Sequence, residues 1–218
     1  MTIIVSCCCR SIEDLREIVF QARDNGTTLK IVGGSYHLSY NKDDIIVSLQ
    51  FMDRLLGLDT STRTVTVEPG MRLSTLSSIL SSINLCLDVA GRTPDLTVSD
   101  CLAVGGPGVV GCGGAGLGAS VISLQVLTPE GEVVSWNWDN HVKQMGGVMG
   151  GLGMIGVIIG VSIQCYPLVL VQEISYLTSV KEVMETWHMV HRSSDHQHLT
   201  WFPFTELVII THTSGIDK

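Results

Sequence analysis

The stretch LAVGGPGVVGCGGAGLGAS, residues 102–120, constrains the fold more than any other part of the chain. Eight of its nineteen residues are glycine, and glycine loses more backbone entropy on folding than any other residue. Something that only glycine permits must therefore offset this cost. The run can cradle phosphates with its backbone amides, it can let elements pack closely, or it can be the remnant of a binding loop.

Composition narrows the class of protein. The chain has 218 residues, 45% of them hydrophobic, which is enough to bury a substantial core. Its formal net charge is −8 and it has no block of lysines and arginines, so we expect no nucleic-acid partner.

We also expect no metal site. Four histidines cluster in the sequence, namely His188, His191, His196 and His198, but no acidic or thiol ligand falls at a matching spacing.

Two apolar segments bear on localisation. The first residues, MTIIVSCCCR, include no basic region and no small-residue cleavage site, so we expect no signal peptide and a reducing, cytoplasmic location. The three adjacent cysteines favour a packed strand over a lipidated segment. Residues 152–171 carry no charge over a length that can span a bilayer, yet their β-branched residues, Gln164 and Pro167 favour a buried strand. Association with a membrane on its cytosol-facing surface is the alternative.

Hydrophobic periodicity predicts an α+β chain. A helix begins at Ser11, whose side chain can cap it together with Asp14, and it ends at Asn25-Gly26. A second amphipathic helix is expected at 179–192. Its inward face comprises Val180, Val183, Trp187 and Val190. The other predicted elements are strands at 29–32 and 45–49, a hairpin at 55–67, a helix at 73–83, a hairpin about residues 129–131, an apolar strand running to Cys165, and a strand or strand pair interrupted at Pro203.

Four segments, taken in order, carry a resemblance to a known family. They are SIEDLREIVFQARDNGTTLKIVGGSYHLS from Ser11, DRLLGLDTSTRTVTVEPGMRLSTL from Asp53, LGMIGVIIGVSIQCYP from Leu152 and TWFPFTELVII from Thr200. Together they closely resemble the N-terminal half of the aldonolactone oxidases, the group that contains the L-gulonolactone and D-arabinono-1,4-lactone oxidases.

The resemblance implies an α+β, two-subdomain FAD-binding fold of the PCMH type, also called the vanillyl-alcohol oxidase type. On this basis residues 1–170 form the FAD-binding domain, with subdomains of about 1–70 and 71–170, and residues 171–218 begin a substrate cap domain. The family continues well beyond the end of the match. The resemblance therefore implies a truncated cap, in which we expect the strand at residues 207–211 to lack partners.

The resemblance also assigns residues to the cofactor FAD, because glycines let backbone N–H groups approach an anion closely. In the family, the histidine that bonds covalently to the flavin occupies the position of Tyr36 here. His37 comes one position later, so we expect no covalent link. The implied contacts are Val32, Gly33, Gly34, Ser35, Tyr36 and His37 in a first segment, Ser99, Gly105, Gly106 and Gly108 in a second, and Val157 and Ile158 in a third.

The second segment departs from the family pattern. An ungapped alignment places the family's paired glycines on Ser99-Asp100 and its Gly-Thr-His on Gly105-Gly106-Pro107. The charge of Asp100 would repel a diphosphate, and Pro107 lacks an amide donor. The surplus glycines after Gly108 can form a different cradle, or they can be a loop released from its ligand.

Two functions follow. The first is an FAD-dependent oxidoreductase that resembles sugar-1,4-lactone oxidases, with a sugar lactone as substrate and oxygen as acceptor. The second is a catalytically inactive homologue or fragment that keeps the FAD-domain fold and binds flavin weakly or not at all. No catalytic residue is assigned, because the family's segment that faces flavin and substrate has no counterpart in these 218 residues.

Overall fold

The chain divides into two compact units, Met1–Tyr166 and Pro167–Lys218. The structure is a computed structural model, and it describes residues 6–33, 44–87, 96–105, 116–190, 194 and 196–216. Helices and strands are mixed along both units, which is the α+β order predicted from the sequence.

The first unit opens with a small parallel sheet. Its elements are β1 (Ser6–Cys8), α1 (Ile12–Asn25), β2 (Leu29–Val32) and β3 (Ile45–Ser48), with strand order β1-β3-β2. The predicted cap of α1 is confirmed: the Ser11 hydroxyl accepts the Asp14 N–H at 3.1 Å, and the Asp14 carboxylate accepts the Ser11 N–H at 3.1 Å. The helix ends at Gly26, whose φ of +63° is the left-handed conformation that glycine adopts without strain.

A five-stranded antiparallel sheet follows in the same unit. Its strands run in the order β4-β5-β9-β7-β8, and β9 therefore lies at the centre. Both predicted hairpins are confirmed as β4-β5 and β7-β8. The helices and strands that follow β3 along the chain are β4 (Leu55–Asp59), β5 (Thr64–Val67), α2 (Leu73–Ser81), β6 (Leu85–Cys86), α3 (Val98–Ala103), α4 (Leu117–Ser120), β7 (Val121–Leu127), β8 (Val133–Asn137), α5 (Val142–Val148) and β9 (Val157–Gln164). The short strand β10 (Tyr166–Pro167) spans the boundary between the two units.

Two clusters of buried residues hold this unit together. One packs α2 and α3 onto the five-stranded sheet, with Leu76, Leu80 and Val161 fully buried. The other lies between α1 and the parallel sheet and includes Leu127 and Ile159 from the five-stranded sheet. The two sheets are thus joined through shared apolar contacts.

The uncharged stretch at residues 152–171 contains β9, whose first five residues are all buried. The prediction of a buried strand is confirmed, since β9 pairs with a neighbour on each edge. None of the helices in the described part of the chain has the length and apolar character needed to cross a bilayer.

The second unit is a three-stranded antiparallel sheet with one helix. It contains β11 (Val171–Ser179), α6 (Val180–Val190), β12 (His196–Trp201) and β13 (Leu207–Gly215), in the strand order β11-β13-β12. The strand break at Pro203 is confirmed, because β12 and β13 lie on either side of it. The expectation that residues 207–211 lack partners is wrong: β13 is the central strand and pairs along both edges.

A second correction concerns the inward face of α6. Val183 is buried and Val180 packs beside it, but Trp187 is 48% exposed. The apolar cluster under α6 comprises Val183, Val208 and Ile210 as its buried members, so the apolar stripe of the helix extends beyond the area that the sheet covers. The side chain of Val190 lies outside the described residues.

Candidate functional site

Gly33 lies at the carboxyl end of β2, directly after the buried residue Val32. The rest of the first predicted contact segment, Gly34, Ser35, Tyr36 and His37, lies outside the described residues, and so do Gly106 and Gly108 of the second segment. The placement of Gly33, Ser99, Gly105, Val157 and Ile158 can be described.

One cavity collects residues from all three predicted contact segments. We call it the first cavity. Gly33 borders it from the first segment, Ser99 from the second, and Val157 and Ile158 from the third. Its volume is about 50 Å³, which is room for a few water molecules. The remaining lining residues are Ile31, Leu49, Asp100, Ala103, Val104, Gly147, Val148, Leu152, Gly153, Met154, Ile155 and Gly156.

A buried carboxylate engages the glycine segment in this cavity. The Gly33 N–H donates to Oδ1 of Asp100 at 2.8 Å, and the Thr97 hydroxyl donates to Oδ2 of the same carboxylate at 2.8 Å. Asp100 is only 8% exposed. Among the described residues, no lysine, arginine or histidine forms an ion pair with it. Two hydrogen bonds therefore stabilise this carboxylate in place of a cation.

The close approach of Gly33 to α3 requires glycine. A Cβ at this position would overlap Thr97 Oγ1 and would lie 2.6 Å from Ser99 Oγ and 2.8 Å from Asp100 Oδ1. Because real Cβ atoms do not approach other atoms so closely, any larger residue would push the segment away from α3. The glycine predicted to approach a ligand thus approaches the side chains of α3.

An apolar wall forms part of the lining of the first cavity. Leu152, Met154 and Ile155 line the cavity and are also exposed. The segment that carries them is anchored to the end of α3, since the Leu152 N–H donates to the Ala103 carbonyl at 3.0 Å and the Gly150 N–H donates to the Leu102 carbonyl at 2.8 Å. The resemblance did not assign these three side chains to the site.

Gly105 lies elsewhere. It borders a second cavity, of about 270 Å³, on another face of α3. This cavity is lined by Cys101, Leu102, Gly105, Gly118, Ala119, Trp138 and Met149. Burial, and after it the charge of Asp100, raises the pKa of the Cys101 thiol. The predicted second contact segment is therefore divided between two cavities.

The described residues show whether FAD would fit in the first cavity. The apolar wall suits a planar ring, but the Gly33 N–H, a donor that the resemblance assigns to the diphosphate, is already bonded to Asp100. Ligand pockets usually span roughly 300–1,000 Å³, and the first cavity is much smaller. A diphosphate does not fit at Gly33 while the Asp100 carboxylate stays there.

The bond between Asp100 and Gly33 is the feature that sequence reasoning missed. The local signal was the pattern Thr97-x-x-Asp100, which usually predicts a side chain that caps its own helix. The described part of the chain contains no group of three or more His, Cys, Asp or Glu side chains placed to hold a metal ion.

Comparison with known proteins defines the class. The family profile described as an FAD binding domain matches residues 4–137. The chain therefore belongs to the FAD-binding domain family.

Within this class the chain is similar to aldonolactone oxidases. It is 28% identical over 217 residues to L-gulonolactone oxidase of Bos taurus, covering 95% of this chain and 48% of that protein. It is 25% identical over 213 residues to D-arabinono-1,4-lactone oxidase of Yarrowia lipolytica, covering 94% of this chain and 40% of that protein. The predicted family resemblance is confirmed, and the chain spans about half the length of these relatives.

A solved structure shows the same fold. The 6-hydroxy-D-nicotine oxidase of Arthrobacter nicotinovorans superposes with a TM-score of 0.76 at 20% identity, covering 96% of this chain and 49% of that one. The predicted α+β fold of the PCMH type is confirmed.

Proposed function

We propose that the chain is the FAD-binding part of an oxidoreductase that acts on sugar 1,4-lactones and passes electrons to oxygen. The observation that carries this proposal is the match of residues 4–137 to the FAD-binding domain family. The similarity to L-gulonolactone and D-arabinono-1,4-lactone oxidases supports the substrate class. The residues that would contact the lactone are not assigned.

A second candidate function is a homologue that keeps the fold and holds flavin weakly or not at all. The hydrogen bond from the Gly33 N–H to the buried Asp100 carboxylate favours this second candidate. While the bond is formed, the Gly33 N–H is not available to donate to a bound anion. Both candidates assume the same fold, so only cofactor binding and turnover distinguish them.

The visible absorbance spectrum of the purified chain, with and without added FAD, tests the proposal. Flavin bands that remain after gel filtration, together with oxygen uptake on addition of a sugar 1,4-lactone, are the expected result. A colourless chain that takes up no added FAD would support the second candidate. Acid precipitation then distinguishes the type of link: we expect the colour in the supernatant, whereas colour in the pellet would indicate covalent attachment, with His37 as the nearest candidate.

A pair of methionine variants locates the flavin. Met154 is 82% exposed on the apolar wall of the first cavity, and Met184 is 74% exposed on α6. We expect Met154→Gln to weaken FAD binding severalfold, because it removes apolar contact without disturbing a buried side chain. Met184→Gln is the matched control and should bind FAD as the unmodified chain does. Equal affinities in the two variants would place the flavin elsewhere.

A further inference from the structure

In the described part of the chain, two aspartates occupy the third position of a helix, and they bind different partners. In α1, the Asp14 carboxylate accepts the backbone N–H groups of Arg10 and Ser11 and so serves its own helix. In α3, the corresponding Asp100 accepts the N–H of Gly33, which lies 67 residues away in the sequence. The second carboxylate therefore has a role that helix capping does not explain.

We propose that the Asp100 carboxylate is a built-in anion that occupies the diphosphate position at Gly33, so that the chain selects against flavins that carry phosphate. This inference rests on the proposed function, because it concerns the same cavity. A carboxylate and a phosphate are both acceptors for backbone N–H groups. The position is thus filled by the chain itself, and a diphosphate must displace the carboxylate to bind.

Charge adds to this competition. A diphosphate is negatively charged at neutral pH, and Asp100 is a second anion in a nearly solvent-free position. Repulsion between like charges is strong where water is excluded. Among the described residues, no cation pairs with Asp100 to offset it. A flavin without phosphate, such as riboflavin, would meet neither the competition for the Gly33 N–H nor the repulsion.

Two substitutions separate the two effects. Asp100→Asn removes the charge but keeps an oxygen that can accept the Gly33 N–H. Asp100→Gly removes the charge and also leaves the Gly33 N–H open to a ligand. Asp14→Asn is the matched control, since Asp14 holds the corresponding helix position and lies outside the first cavity.

The experiment is a titration of the full chain and these three variants with FAD and with riboflavin. Quenching of flavin fluorescence measures binding at each step of the titration. We expect the dissociation constant for FAD to fall by about tenfold or more in Asp100→Gly and by less in Asp100→Asn. Riboflavin affinity should stay within about twofold in all variants, and Asp14→Asn should match the unmodified chain for both ligands. If Asp100→Gly does not fold, the comparison of FAD and riboflavin affinities is made with the conservative variant Asp100→Asn.

The outcomes distinguish this inference from the function on which it rests. If the unmodified chain binds FAD tightly and neither Asp100 variant binds it more tightly, the inference is wrong and the proposed function is unaffected. Absence of flavin binding in every variant overturns both. An equal gain for FAD and riboflavin also overturns the inference, because the effect would then not depend on phosphate.

Hydrogen exchange at the Gly33 amide provides a second measurement that needs no flavin. The amide should be protected in the unmodified chain and in Asp14→Asn, and it should exchange much faster in Asp100→Gly. Rapid exchange in the unmodified chain would overturn the inference whatever the flavin titrations give.

Discussion

Cys9 and Cys165 are buried thiols whose surroundings oppose ionisation. Burial is the largest cause and raises the pKa of each to about 11; the charge of Asp14 adds to the effect at Cys9, and Cys86 adds to it at Cys165. Such a thiol packs as a small apolar side chain and is a poor nucleophile at neutral pH. The folded chain therefore holds protons that the unfolded chain releases.

This difference makes stability depend on alkaline pH. The ordinary pKa of the Cys9 thiol is 9.0, and the pKa in the folded chain is about 11. Between these values the unfolded state binds fewer protons than the folded state, so the free energy of unfolding falls as pH rises from 9 to about 11. Below pH 9 the contribution of the Cys9 thiol to stability is fully retained. Urea unfolding at a series of pH values from 8 upwards measures the slope.

Two variants isolate the contribution of Cys9. Cys9→Ala should unfold at lower urea concentration at pH 8 because it leaves a cavity, but its stability should fall less steeply with pH than that of the unmodified chain. Cys8→Ala removes the neighbouring exposed thiol, which is the smallest of the causes that raise the pKa of Cys9, and it should keep most of the original slope. A Cys9→Ala variant with an unchanged slope would show that other groups cause the alkaline loss.

At the scale of single residues, the assignment of FAD contacts stays a prediction. Gly33, Ser99, Val157 and Ile158 could be assigned by resemblance, and the structure places them around one cavity. The sequence indicates that the charge of Asp100 is unfavourable for a diphosphate, but it does not indicate that the Gly33 N–H is the hydrogen-bond partner of this carboxylate. Gly33 and Asp100 are 67 residues apart, and no local pattern reports a hydrogen bond between segments so distant in sequence.

Among the elements, α1 has the most complete local support. Its N-terminus has a reciprocal cap between Ser11 and Asp14, and bonds from the Arg10 and Ser11 N–H groups, with the Ser11 side chain, lower the pKa of the Asp14 carboxyl. Ser11→Ala leaves the Asp14 N–H without its side-chain acceptor. We expect this change to cost about 1 kcal/mol in the free energy of unfolding, which is typical of the loss of an N-cap.

Urea unfolding of the full chain measures this cost, and Ser78→Ala is the matched control. Ser78 lies inside α2, is exposed, and donates its hydroxyl to the Ser74 carbonyl one turn earlier. Alanine favours a helix interior more than serine does, so the control should be neutral or slightly stabilising. Equal losses in the two variants would show that the cap of α1 does not contribute specifically.

The elements themselves were more predictable than their partners. The helix caps and the two hairpins depend on neighbouring residues, and these predictions were confirmed. The position of β13 at the centre of its sheet depends on pairing with β11, which precedes it by a helix and another strand. Periodicity shows that a strand forms and which face is apolar, but it does not show which strand lies beside it.

At the scale of the whole molecule, each cluster of buried residues lies within one of the two units. The two large clusters lie within Met1–Tyr166, while the cluster of Val183, Val208 and Ile210 lies within Pro167–Lys218. A short chain with so few buried residues does not offset its loss of conformational entropy. The first unit thus has a core of its own, and the second unit has little of one.

We therefore expect a fragment of residues 1–166 to fold alone and a fragment of residues 167–218 to remain unfolded. Circular dichroism with a cooperative thermal transition, together with resistance to limited proteolysis, measures folding in each fragment. A fragment of residues 1–150 is the control: it lacks β9, the central strand of the five-stranded sheet, and should not fold because β5 and β7 both lose their shared partner. A fragment 1–166 that fails to fold, or a fragment 167–218 that unfolds cooperatively, would show that stability is distributed differently from the buried clusters.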